Sequence, residues 1–351
     1  MRALTVQPGR AGSLAVSDVP EPVAEHGELL VDGLAVGVCG TDREIAAGEY
    51  GAPPPGRERL VIGHESLGRV RSAPPDSGFT AGDLVVGVVR RPDPVPCGAC
   101  AHGEPDMCRN GRFTERGISG LDGYASPVWT LDPEYAVRLS PGLERTGVLL
   151  EPASVVAKAW EQVQRVGERS WFAPRRALIT GAGPIGLLAA LLAVQRGLDT
   201  HVLDIVADGP KPELVRALGA TYHHDGLDAA VADGEPDVVI EATGVSSVVF
   251  GALAATAPYG IVCLTGVSSG GRPIELDGGG LNRELVLEND AVIGSVNANR
   301  RHFTAAAAAL ATADPAWLEG LLTRRLPLER AGEAFEPRED DVKVVLDVAP
   351  G

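Results

Sequence analysis

Two hydrophobic rhythms divide the chain. Up to about residue 145, short alternating or β-branched runs are broken by glycine and proline: ELLVDGLAVGV (28–38), HESLGRVRSA (64–73) and GDLVVGVV (82–89). That pattern predicts an antiparallel, barrel-like β domain with long loops. After Glu151 the rhythm changes, and EPASVVAKAWEQVQRV places Val156, Trp160 and Val163 on one face of a helix. From Ala177 onward strand and helix alternate. ALIT, THVLDI, ATYHH, PDVVIEAT, GIVCLTGV and DAVIGSV are six apolar strands separated by helical stretches, which predicts a doubly wound parallel sheet and an α/β fold. The Ala-rich helix FTAAAAALATA and a last strand, VKVVLDVA, follow Asn297. They are expected to pack back on the first domain and make it discontinuous.

The strand ALIT runs into Gly181-Ala182-Gly183-Pro184-Ile185-Gly186, a G-x-G-x-x-G that opens a helix inside a βαβ unit. Gly181 permits the tight turn, Gly183 the approach of a pyrophosphate, and Gly186 close packing of helix on strand. Pro184 and Ile185 begin the helix, whose free N–H groups suit phosphate. A dinucleotide is the expected ligand. Asp204 ends the second strand about 20 residues on, where a carboxylate pairs with ribose hydroxyls and repels a 2′-phosphate. No arginine follows it, so NAD is favoured over NADP, with Lys211 leaving NADP some room. Thr243, at the end of PDVVIEAT, and Gly266 and Val267, at the end of GIVCLTGV, complete the candidate cofactor contacts.

The first domain carries zinc-type ligands. Cys39 stands in VGVCGTDRE, His64 and Glu65 in VIGHESLGRV, and Glu151 opens the helix at the domain junction. A thiolate, an imidazole and carboxylates can hold zinc and leave a position open for substrate. Such an ion polarises a hydroxyl or carbonyl oxygen, and Thr41 is placed to pass a proton outward.

The order CGTD, GHExxG, GDLV, a cysteine lobe and GAGPIG resembles the zinc-dependent medium-chain dehydrogenase/reductase superfamily. Within it the chain is most similar to the archaeal-type glucose dehydrogenases, through Arg90-Arg91, EPDMC, FTERGI, LDGYAS, LEPAS and GSVNANRRHF. The resemblance implies a GroES-like β-barrel catalytic domain over residues 1–173 and 297–351, and a Rossmann domain over 174–296. It implies Cys39, His64, Glu65 and Glu151 at a catalytic zinc, and Glu115 and Asn297, with Glu151, at the substrate, hydrogen-bonding sugar hydroxyls. Three departures stand out. No arginine pair follows the second strand, Val155 replaces an acidic residue found in some relatives, and the cysteine lobe lacks its first cysteine.

That lobe is RPDPVPCGACAHGEPDMC. Cys97, Cys100 and Cys108 match the last three places of a C-x2-C-x2-C-x7-C structural zinc site, and a closed tetrahedral site needs four ligands. The fourth place falls on Asp93 when counted from the arginine pair, with His102 a second candidate. The lobe is expected to be structural.

Composition narrows the partners. The chain has 351 residues and a net charge of −16, which argues against nucleic acid or an anionic membrane. The longest apolar stretch, IGLLAALLAV, is too short to span a bilayer, and MRALTVQPGR lacks a secretory apolar run. Five cysteines, three of them crowded together, do not form a disulfide framework. A cytoplasmic enzyme is expected, a homodimer or homotetramer through the nucleotide-domain sheet edge, for which GIVCLTGV is the candidate. Its expected reaction is hydride transfer between an aldose, glucose by default, and NAD(P). A polyol, an aminosugar or cyclitol ketone, or a secondary alcohol is the alternative substrate. A dinucleotide-binding sensor without activity is disfavoured by the intact Cys39, Thr41 and His64.

Overall fold

The computed structural model describes residues 1–268 and 273–349. The chain divides into two compact units, Met1–Ser154 with Asn297–Gly351, and Val155–Val296. The first boundary falls inside a continuous helix rather than at residue 173.

The first unit is built on a seven-stranded sheet centred on β1 (Leu29–Val38). A helix, α1 (Gly40–Ala47), follows one residue later, and β2 (Glu65–Ser72) pairs antiparallel with β1. Val344–Asp347 occupies the other side of β1, antiparallel, with Val345 opposite Gly37. The sequence's last strand is thus a neighbour of one of its first, as its apolar pattern requires. Helix α2 (Leu150–Gly167) straddles the boundary, and its predicted face, Val156, Trp160 and Val163, is buried.

In the second unit six parallel strands form one sheet: β3 (Arg176–Thr180), β4 (Asp199–Leu203), β5 (Thr221–His223), β6 (Val238–Glu241), β7 (Ile261–Leu264) and β8 (Ala291–Gly294). Their spatial order is β5-β4-β3-β6-β7-β8. Between β3 and β6 the winding reverses, and ligands of such sheets bind in the crevice that this reversal opens at the carboxyl ends. The central strands are apolar on both faces, which suits a sheet covered on both sides. Helix α3 (Pro184–Gln195) is buried from Gly186 to Ala193, so its all-round apolar sequence marks a core helix rather than a membrane span. Among the described residues no helix is long and apolar enough to cross a membrane.

The topology corrects one expectation. GIVCLTGV forms β7, an interior strand flanked by β6 and β8, so it cannot be a sheet edge. The free edges are β5 and β8, and an interior strand has both its hydrogen-bonding sides already paired.

Candidate active site

The candidate metal ligands Cys39, His64 and Glu65 come together around β1 and β2. Cys39 caps α1 and His64 immediately precedes β2, and the Cys39 sulfur lies 3.2 Å from His64 Nε2. Two such ligands on one tetrahedral zinc stand about 3.6 Å apart, given Zn–S and Zn–N bonds of ~2.3 and ~2.0–2.1 Å. A carboxylate oxygen of Glu65 lies with them inside a 4.8 Å cluster. This S/N/O donor set fits zinc.

The other ring nitrogen explains Asp42. Asp42 is 1% exposed and its Oδ1 faces His64 Nδ1 at 3.4 Å, while Oδ2 accepts the Cys39 N–H at 3.0 Å. A carboxylate behind a histidine fixes the tautomer that leaves Nε2 free for the metal. Burial alone would depress the His64 imidazole, but Cys39 and Asp42 outweigh it and hold it well above the ordinary value. Burial pushes the Cys39 thiol up.

Glu65 is not a free carboxylate. Lys343 Nζ donates to its two oxygens at 2.6 and 2.7 Å, and both side chains are 2% exposed. Gly37 makes the pair possible. It sits opposite Glu65 in the ladder, and a Cβ there would meet Glu65 Oε2 at 1.9 Å. Burial alone would lower the Lys343 ammonium, yet Glu65 and Cys39 hold it raised.

Glu151 stands outside the 4.8 Å cluster, half-buried on the first turn of α2. Burial first, and then the Glu65 charge, against the opposing pull of His64, push its carboxyl up to about 7. A carboxyl poised there can take or release a proton near neutrality. Thr41 is half-buried on the first turn of α1.

The two sugar-site candidates also meet. Asn297 Nδ2 donates to Glu115 Oε1 at 2.7 Å, across 182 residues of sequence. Asn297 has a left-handed backbone, φ 64°, and its own Oδ1 accepts the Ala298 N–H at 2.7 Å. Glu115 is 4% exposed.

In the lobe, Cys97, Cys100 and Cys108 place their sulfurs within one 4.8 Å cluster. The Arg109 and Cys100 backbone N–H groups pull the Cys97 thiol down to about 6, which favours the thiolate a metal needs. Asp93 does not join them. Its Oδ1 accepts from Val95 N at 2.8 Å and its Oδ2 from Asn110 Nδ2 at 2.9 Å and Arg112 Nε at 3.1 Å. His102 is exposed and its Nδ1 lies 2.7 Å from the Gly98 carbonyl. The three thiols are therefore the whole carboxylate, histidine and thiol donor cluster of the lobe among the described residues. All five cysteines are free thiols.

The cofactor candidates of the second unit line the carboxyl ends of β3, β4, β6 and β7. Gly181 follows β3 with φ 91°, and a Cβ on Gly186 would stand 1.7 Å from the Gly181 carbonyl oxygen. A Cβ on Gly183 would meet nothing within 4 Å, so the backbone ahead of Pro184 and Ile185 is open to a pyrophosphate. Asp204 follows β4, and its carboxylate accepts from Ala182 N at 2.6 Å, Ile205 N at 2.8 Å and Val206 N at 3.2 Å. Lys211 lies 3.6 Å away. Glu241, fully buried at the end of β6, holds the neighbouring loops. It accepts from the Thr243 hydroxyl and N–H and from Gly244 N, while its carbonyl oxygen accepts from Gly266 N at 3.0 Å. Val267 is exposed. The shape of this cradle fits a dinucleotide.

Sequence reading missed Asp42, Lys343, Glu241 and Arg90 as site-building residues. The available signal was rarity: Lys343 is one of three lysines, set in an otherwise apolar run.

A parallel-sheet unit with a glycine cradle and, in the same chain, a β unit with a Cys/His/carboxylate cluster define a zinc-dependent dehydrogenase of the medium-chain type. Residues 25–141 match the alcohol dehydrogenase GroES-like domain, and residues 144–348 match the glucose dehydrogenase C-terminus. The chain is 40% identical to glucose 1-dehydrogenase of Methanocella arvoryzae and 42% identical to that of Thermoproteus tenax, each over 99% of both chains. Its structure matches Haloferax mediterranei glucose dehydrogenase, solved in complex with NADP, zinc and gluconolactone, with a TM-score of 0.91 and 34% identity over both full chains. The chain belongs to the glucose 1-dehydrogenase family of the zinc-dependent medium-chain dehydrogenases.

Proposed function

We propose that this protein oxidises an aldose, D-glucose first, at C1 to the lactone, passing hydride to NAD(P). The observation that carries the reading is the pairing, in one unit, of the Cys39–His64 donor pair with a buried carboxylate, Glu115, bonded to Asn297. Hydroxyl-rich substrates need fixed polar partners of that kind. Zinc held by Cys39, His64 and a carboxylate from Glu65 or Glu151 would supply Lewis acidity toward the reacting oxygen. The protein's own groups do the rest. Asp42 orients His64, Lys343 compensates the buried Glu65 charge, and Glu115 and Asn297 orient the sugar. Thr41 and Glu151 would move the hydroxyl proton, while Gly181, Gly183 and the start of α3 would seat the pyrophosphate. In the lobe, Cys97, Cys100 and Cys108 would hold a second, structural zinc with solvent in the fourth place. A dimer or tetramer would use the exposed β8 edge, where Val292 and Val296 face outward.

Following NADH formation with glucose, galactose, xylose, inositol and ethanol tests the reaction. Glucose should give the highest kcat/KM; turnover of inositol or ethanol alone would replace the aldose by a polyol or simple alcohol.

NAD is the favoured cofactor, because Asp204 places a carboxylate at the end of β4, where a 2′-phosphate would be repelled. Asp204→Ala is expected to raise the NADP-to-NAD ratio of kcat/KM by roughly tenfold, the size of a single charge interaction of ~1–1.5 kcal/mol. An unchanged ratio removes Asp204 from cofactor choice.

A further inference from the structure

We propose that Arg90 is the positioning residue for sugar recognition: it locks Glu115 so that one carboxylate oxygen is saturated by protein donors and the other, Oε2, is presented to a substrate hydroxyl. The inference rests on the aldose reading above and concerns how that substrate is held.

Arg90 stands directly opposite Glu115 in the antiparallel pair formed by Arg90–Arg91 and Thr114–Arg116, so the two side chains share a face. Arg90 Nε and Nη2 donate to Glu115 Oε1 at 3.1 and 3.0 Å, and Asn297 Nδ2 donates to the same oxygen at 2.7 Å. Among the described contacts none falls on Oε2, which is not sealed from solvent. Three donors exhaust the lone pairs of Oε1, whereas Oε2 keeps both of its own.

The guanidinium has little freedom to release Glu115. It lies 3.6 Å over the Phe113 ring, and its Nη1 donates to the Asp106 carbonyl at 3.2 Å. Asn299 Nδ2 in turn donates to Asp106 Oδ1 at 3.0 Å. The cysteine lobe, of which Asp106 is part, therefore braces the Glu115 carboxylate through Arg90. The Arg90 and Glu115 side chains are 11% and 6% exposed, and charge-assisted bonds in so dry a place are strong and directional. A hydroxyl can donate to Oε2, while a deoxy analogue leaves that oxygen without a partner, which is how a polar site rejects it.

The test is a double-mutant cycle of Arg90→Gln and Glu115→Ala, read with glucose and its 2-, 3-, 4- and 6-deoxy analogues. Glu115→Ala identifies the analogue whose penalty disappears, and so the hydroxyl that Oε2 reads. Arg90→Gln is expected to raise KM for glucose at least about tenfold and to shrink the penalty on that same analogue. It should leave the dinucleotide KM within about twofold, and the double variant should be no worse than Glu115→Ala. Additive effects, or an equal loss for every sugar and for the dinucleotide, would mean that Arg90 merely supports the fold. If Arg90→Gln does not accumulate as folded protein, Arg90→Lys carries the test. It keeps the charge but loses the fork, and its outcomes are read in the same way. Absence of sugar turnover in the parent enzyme overturns the aldose reading itself; normal glucose turnover with an unchanged Arg90→Gln overturns only this assignment.

Discussion

Cys39→Ala is expected to lower kcat/KM for sugar oxidation by at least about a thousandfold while leaving dinucleotide binding within about twofold of the parent. The Cys39 sulfur is the one soft donor in the cluster, 3.2 Å from His64 Nε2. Without it a zinc ion keeps one imidazole and a carboxylate whose oxygens already accept from Lys343, too few ligands to retain the metal. Lewis-acid stabilisation of the reacting oxygen amounts to several kcal/mol, and each ~1.4 kcal/mol is a factor of ten in rate. The candidate dinucleotide contacts, Gly181 to Gly186, Asp204, Thr243, Gly266 and Val267, lie in Val155–Val296, a unit with its own core. Elemental analysis should find one zinc fewer per chain, and titration with NAD should find an unchanged dissociation constant. Activity that survives with zinc intact would place the metal elsewhere; joint loss of metal and dinucleotide binding would show that the two units do not act separately.

Lys343→Met should produce the largest stability loss of any single substitution near the site. It leaves the Glu65 carboxylate, 2% exposed, without its counter-charge, and breaking a buried pair from one side costs about 3–5 kcal/mol. For a unit of this size that corresponds to a fall in Tm of roughly 6–20 °C. The double variant Lys343→Met/Glu65→Gln should recover much of the loss, because the stranded charge is gone while Gly37 still leaves room for the side chain. Thermal unfolding followed by circular dichroism reads both. A single variant as stable as the parent would show that solvent reaches Glu65 and that the pair contributes little.

The fold was largely legible because its signals are local. All six parallel strands were visible as short strand-forming runs between helical stretches, and the helix over Glu151–Val166 showed its buried face through spacing alone. The glycine cradle was legible for a backbone reason: only glycine takes φ 91° at residue 181 or lets position 186 lie against the Gly181 carbonyl. Cys39, His64 and Glu65 stood out because their residue types limit what they can do. Sheet order was less legible: GIVCLTGV has the same apolar run whether it lies inside or at an edge. Asp93 was harder to read for a related reason. Counting along the chain put it in the missing ligand's place, but Val95, Asn110 and Arg112 turn its carboxylate to other work.

The amino-acid sequence by itself determined the two-part architecture, the glycine cradle and the candidate metal-binding groups, since periodicity, glycine placement and thiol or imidazole chemistry act over a few residues. Only the tertiary structure decided which groups complete those sites. Lys343 reaches Glu65 across 278 residues of chain and Asn297 reaches Glu115 across 182. Arg90 becomes the neighbour of Glu115 through a strand register that no local pattern specifies. Buried charges need partners wherever the chain brings them, and the sequence states the need without stating the address.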